Sequence, residues 1–238
     1  MKKISILLFV LMISYQQQLK AQSIFEQFDG FFSAQVTEEG MVNYQGLKEN
    51  PQELQALVKA VAELDLSNKR VSPEYLKAFY INAYNVLVIN QIVENYPTEG
   101  PLAIDGFFDK KLVIVMGNEM TLNDFEKGKV FPEFPDAKLH FVLVCGAKGC
   151  PPLANSAYFP EGLEENLTKR TSYVLNLDWF VRVKKKRLEL SKIFEWYRSD
   201  FETEGKKLVD YVNQFREMKI DTKGVGFYEY DWSLNELE

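Results

Sequence analysis

One histidine and two cysteines are all that 238 residues carry of these soft, titratable side chains. That scarcity excludes a good deal. Structural zinc usually takes four ligands, and His140, Cys145 and Cys150 supply three. An open catalytic zinc site would accept three, but no Asp or Glu stands beside them in a zinc-enzyme pattern. A Gly-rich phosphate loop and a dinucleotide fingerprint are missing. So is Gly-x-Ser-x-Gly, which leaves an α/β-hydrolase elbow unsupported. The chain also lacks the clustered cations of a nucleic-acid surface: 28 Lys and Arg face 34 Asp and Glu, for a net charge of −6. Its one basic run, Lys184-Lys185-Lys186-Arg187, lies between two strand-like stretches and reads as a solvated hairpin turn. Neither a cofactor nor a metal is expected, and nucleic acid is not an expected partner. No repeat, low-complexity tract or Ser/Gly linker divides the chain.

What is present begins with a leader pattern. Lys2 and Lys3 precede the apolar run Ile4 to Ile13, and Ala21-Gln22-Ser23 offers a small-residue cleavage site. Residues 1–21 are therefore expected to be a signal peptide. Its loss removes Lys2, Lys3 and Lys20, leaving 25 − 34 = −9. No cysteine marks the boundary, so a lipid anchor is not indicated. The leader's apolar run is too short to span a bilayer, and no later run is long enough. The mature chain, 22–238, is expected to be exported, periplasmic or secreted, without an integral membrane segment. Disulfides persist in such compartments.

Hydrophobic residues make up 46% and aromatics 14%, enough for a packed core. Phe25, Phe28, Phe31 and Phe32 recur at helical spacing. Gly40 to Tyr44 reads as a turn and short strand. Pro51 opens a helix with Leu54, Leu57, Val58, Val61 and Leu64 on one face. Ser72 caps the longest helix, which runs to about Asn95, before Pro97. It is apolar nearly all round, so it belongs at the centre of the fold. Strands follow at Leu112 to Met116 and Leu139 to Cys145. Trp179 to Val183 and Arg187 to Leu190 form an expected hairpin, and Val225 to Asp231 a closing strand. Helices are expected from Thr121 to about Val130, Pro160 to about Leu175, Ser191 to Ser199 and Thr203 to Phe215. The reading is one α+β domain: a helical N-terminal half, with a long central helix packed on a mainly antiparallel sheet.

Residues 139–153, LHFVLVCGAKGCPPL, gather the single histidine and both cysteines. Three chemistries are open there: a thiol nucleophile with its base, a local disulfide loop, or a metal site. A cysteine attacks as thiolate, and its pKa must be lowered by its surroundings. With one histidine available, His140 is the base if the chemistry is Cys–His. On a straight strand, side chains five apart face opposite ways. Cys150, in a loop beyond Gly146 and Gly149 and stiffened by Pro151 and Pro152, is then a better partner for His140 than Cys145. A bulge at Gly146 would reverse that preference. A disulfide across so short a ring would stabilise less than a long-range bridge. Asn82 and Asn85 share one face of the central helix. Buried amides need partners, so they either bond a neighbouring loop or strand end, or orient an imidazole or oxyanion. Asp231 is read as a turn residue rather than a partner for His140.

Three blocks carry a resemblance: AFYINAYN at 78–85, HFVLVCGAKGCPPL at 140–153 and YEYDWSLN at 228–235. With the linking segments GMVNYQGL, MTLNDFEKGKV and SKIFEWY, they resemble domain-of-unknown-function family 547, from about Phe28 to the end. The family is in turn similar to papain/transglutaminase-like thiol enzymes. In that layout the nucleophilic cysteine starts the central helix, and His and Asp follow on strands. His140 at the head of a strand would suit it, and Asp178 sits where a third member would fall. The central helix holds no cysteine, however. The resemblance thus implies a polar signature of His140, Cys145, Cys150, Asn82 and Asn85 without assigning roles. It leaves a rearranged site fed by the cysteine loop, or a non-catalytic relative.

The leading expectation is an exported thiol-dependent hydrolase or acyltransferase acting on an amide or thioester. Cys150 or Cys145 is its nucleophile, His140 its base, and Asn82 or Asn85 orients the site. The alternative is a non-enzymatic extracytoplasmic binding domain with a structural cysteine loop. Peptide, glycan and small-molecule ligands are equally open.

Overall fold

Four phenylalanines put their rings on one side of the first helix, α1 (residues 24–35), and all four are buried. The computed structural model describes residues 24–184, 187–203, 205–222 and 224–238. The expected signal peptide, and Lys185 and Lys186 of the basic turn, lie outside the described residues. Val36 and Val42 pair in a single bridge, and α2 (Tyr44–Glu49) follows, capped by the Asn43 side chain. In α3 (Gln52–Glu63), Leu54, Leu57 and Val61 are buried, as the spacing requires.

Ser72 accepts a hydrogen bond from the Tyr75 N–H at 3.1 Å and starts α4 (Pro73–Glu94). Every residue of α4 from Lys77 to Val93 is buried. Its neighbours include α2, α3 and a π-helical turn, Asp124–Val130. A helix enclosed this way must satisfy its polar side chains internally. Lys77 does so with Asp136 at 2.7 Å and Glu164 at 2.8 Å. Gln91 donates to the Phe107 carbonyl at 2.7 Å.

Strands β1 (Leu112–Val115) and β2 (Asn118–Thr121) form an antiparallel hairpin. Met116 and Gly117 both have positive φ, 51° and 75°, the conformation a two-residue hairpin turn favours. The short α5 (Phe131–Glu133) extends the π-helical turn.

The strand expected over Leu139 to Cys145 is not there. Ala137–Phe141 is a 3-10 turn, and the chain then runs without a ladder to Gly146. Leu139, Phe141, Val142 and Val144 are all buried. A short apolar run of that kind does not distinguish a strand from another buried segment. The opposite-face argument for Cys145 and Cys150 therefore does not apply.

Helix α6 (Leu163–Asn176) precedes β3 (Val181–Lys184) and β4 (Arg187–Ser191), which pair antiparallel. Three helices, α7 (Ile193–Trp196), α8 (Arg198–Phe201) and α9 (Leu208–Phe215), then cross to β5 (Gly224–Tyr228). That crossover places β5 parallel to β4, in the order β3-β4-β5. The α+β class holds, with a helical first half and ladders that are antiparallel except for this last pair. Among the described residues, no helix is long and apolar enough to cross a membrane.

Candidate functional site: a thiol pair in an aromatic cavity

The cysteine loop is held from two sides. Gly146 has φ +83°, and a Cβ there would collide with Ile92 of α4. On the other side, the C-terminal segment after β5 runs back along the loop. Lys148 N–H donates to Ser233 O at 2.8 Å, Gly149 N–H to Asp231 O at 2.8 Å, and Asn235 N–H to Gly146 O at 3.1 Å. A Cβ on Gly149 would lie 2.8 Å from the backbone N and O of Asp231, so only glycine permits this approach. The pairing delivers Tyr230 to the sulfurs. Its hydroxyl is 3.0 Å from Cys150 Sγ and 3.4 Å from Cys145 Sγ. The Cys145 N–H donates to Cys150 Sγ at 3.1 Å. Both cysteines are free thiols.

These contacts divide the pair. Burial works against a Cys150 thiolate, but hydrogen bonds from the Cys145 thiol, the Tyr230 hydroxyl and the Ala147 and Cys145 backbone outweigh it, and its pKa falls. The thiol hydrogen bond to Cys150, then burial, push Cys145 well above the ordinary thiol value. Cys150 is thus the more acidic of the two thiols, and Cys145 the one that holds its proton.

Both cysteines line a cavity of about 390 Å³. His140 and Glu126 line it too, and Trp196, Trp232, Phe108 and Tyr230 supply aromatic walls. The indole of Trp196 stacks on that of Trp232 at 5.8 Å and is 47% exposed, which puts it at the mouth. His140 lies between the rings of Phe131 and Tyr197, with centroids at 4.5 and 4.2 Å. Its Nε2 is 2.7 Å from Asp200 Oδ2. Burial lowers the imidazole pKa, against the opposing hydrogen bond and charge of Asp200. Glu126 takes hydrogen bonds from the hydroxyls of Tyr84 at 2.8 Å and Tyr197 at 3.3 Å. Burial raises its pKa despite those donors. A lowered thiol, a lowered imidazole and a raised carboxyl around one cavity are what acid–base or nucleophilic chemistry needs.

Asn82 and Asn85 do not line the cavity. Each uses both ends of its amide on backbone. Asn85 Nδ2 donates to Val142 O at 2.8 Å, and its Oδ1 accepts from Val144 N–H at 2.9 Å. Asn82 does the same for Tyr158, at 2.7 Å to its carbonyl and 2.9 Å from its N–H. These carboxamides stand in for a neighbouring strand. Asn85 thereby fixes the backbone immediately before Cys145.

The structure brings His140, Cys145 and Cys150 to one cavity, but neither sulfur hydrogen-bonds the imidazole. The partner of His140 is Asp200, on α8, rather than Asp178, which is exposed. Asp231 accepts from the Ser233 N–H and hydroxyl, as a turn residue does. Sequence reasoning missed Tyr230, Glu126 and Asp200. Tyr230 lies inside a block, and Glu126 inside a linking segment, quoted above for their resemblance; Asp200 has no comparable signal. Among the described residues, no group of three or more His, Cys, Asp or Glu could hold a metal ion.

Residues 68–174 match the model of the family described as "Protein of unknown function, DUF547". The matched segment starts just before α4 and contains Asn82, Asn85, Glu126, His140 and both cysteines. Asp200 and Tyr230 lie beyond it. No curated protein and no solved structure matches the chain.

Proposed function

We propose that this protein is an exported, thiol-dependent hydrolase or acyltransferase acting on an amide or thioester carbonyl, with Cys150 as its nucleophile. The observation that carries this reading is the sulfur's surroundings. Cys150 Sγ receives the Tyr230 hydroxyl and the Cys145 N–H at 3.0 and 3.1 Å, on the wall of the cavity that also holds His140. A thiolate so supported is available without a direct imidazolium partner.

Cys150 Sγ attacks the carbonyl carbon, and the C–N or C–S bond to the leaving group then breaks. Glu126, whose pKa burial raises, supplies the leaving group's proton. Neutral His140, oriented by Asp200, takes the proton from the water or second nucleophile that releases the acyl group. Asn85 is a positioning residue, acting through the backbone before Cys145. The leader pattern at 1–21 supports export.

The test is acyl trapping. Reduced protein is mixed with a small chromogenic thioester, quenched in acid and mapped by mass spectrometry. An acyl group on Cys150, absent from Cys150→Ser and slower to clear in His140→Ala, is expected. An adduct on lysines that Cys150→Ser leaves unchanged would refute the proposal. The binding-domain alternative rests on the exposed Trp196 and the half-buried Trp232 stacked on it. It gains ground if a ligand quenches their fluorescence while no acyl group is ever trapped.

A further inference from the structure

Acyl transfer needs one sulfur, and the cavity holds two. Cys145 and Cys150 are both free. They share the Tyr230 hydroxyl, at 3.4 and 3.0 Å. The Cys150 N–H donates to the Ala147 carbonyl at 3.0 Å, a turn that folds Cys150 back over Cys145. The Cys145 N–H donates to Cys150 Sγ at 3.1 Å, which holds that sulfur against the residue it would bond.

We propose that Cys145 and Cys150 form a dithiol–disulfide couple that exchanges electrons with a small disulfide entering the cavity. The proposal rests on the reading above only in taking Cys150 as the attacking thiolate. Cys150 is 4% exposed, and the space before it is about 390 Å³. That admits a low-molecular-weight disulfide and excludes one held in a folded protein.

The exchange balances. Cys150 thiolate attacks one sulfur of the disulfide RSSR, the S–S bond breaks, and RS⁻ leaves. Cys145 gives its proton to a departing thiolate and attacks Cys150 Sγ. The mixed disulfide breaks and a second RS⁻ leaves. Two electrons pass from the cysteine pair to RSSR, yielding RS⁻ and RSH. In the disulfide state Cys150 is no longer a nucleophile, so the same couple switches acyl chemistry off.

The experiment counts thiols. Purified protein is equilibrated with oxidised and reduced glutathione at graded ratios, quenched in acid, alkylated and weighed. Both thiols should vanish together, no glutathione should be retained, and excess reduced glutathione should restore them. Cys145→Ser should trap a single glutathione on Cys150. Wild type that stays doubly alkylated at every ratio, or that keeps glutathione on Cys150, overturns the couple. If Cys145→Ser does not fold, the wild-type count still decides. The count needs no acyl substrate, so a failed acyl probe on reduced protein sinks only the acyl reading, and an unchanging count sinks only the couple.

Discussion

The Tyr230 hydroxyl lies 3.0 Å from Cys150 Sγ, although 80 residues separate them in sequence. That contact depends on the C-terminal segment lying along the cysteine loop, and it supports a charge the cavity would otherwise oppose. Tyr230→Phe keeps the ring and removes the donor. A hydrogen bond to a charged group contributes about 1.5–3 kcal/mol, so the Cys150 pKa should rise by about 1–2 units. The pH dependence of Cys150 alkylation in the variant measures this.

Gly149→Ala tests how Tyr230 arrives. The new methyl would meet Asp231 backbone at 2.8 Å, and the backbone must part. We expect a destabilisation of about 1–3 kcal/mol in urea unfolding. Cys150 alkylation at neutral pH should also slow, because the hydroxyl is drawn away. A purely structural glycine would show the first effect without the second.

Asn85→Leu leaves the Val142 carbonyl and the Val144 N–H buried without partners. Each such group costs about 1–3 kcal/mol, which for the two predicts a loss of about 2–6 kcal/mol. Asn85→Asp keeps the shape and an acceptor for Val144 but cannot donate to Val142 when ionised. Denaturant midpoints should place it between wild type and Asn85→Leu.

His140 is the chain's one histidine, so its ring protons can be followed by NMR without assignment. It should titrate below the ordinary value of 6.5, because burial disfavours its charge. Asp200→Asn removes an opposing influence and should lower the midpoint further. With the native pKa lowered, the unfolded state binds more protons between the two values. His140's contribution to stability is therefore complete above pH 6.5 and declines as pH falls through the native pKa. The pH dependence of the unfolding free energy in wild type and His140→Gln checks the sign.

Much of this architecture was legible in the residues. Ser72-Pro73 marked the start of α4, and the absence of a polar face on that helix marked it as central. The β3–β4 pairing followed from two strand-like runs around a basic turn. The segment from Leu139 to Cys145 was misread because burial gives the same apolar run to a strand and to an irregular segment. What orders that segment is a side chain, Asn85, which periodicity does not register. Gathering His140, Cys145 and Cys150 at one cavity needed only their closeness in sequence. Asp200 and Tyr230 come from across the chain, on α8 and in the segment beyond β5, and local pattern carries no trace of such contacts.

The most direct measurement is the rate of Cys150 carbamidomethylation between pH 5 and pH 10, read on its own peptide. A midpoint below the ordinary thiol value of 9.0 is predicted for wild type, moving upward in Tyr230→Phe. A wild-type midpoint at or above that value, unmoved by loss of the hydroxyl, would contradict the account.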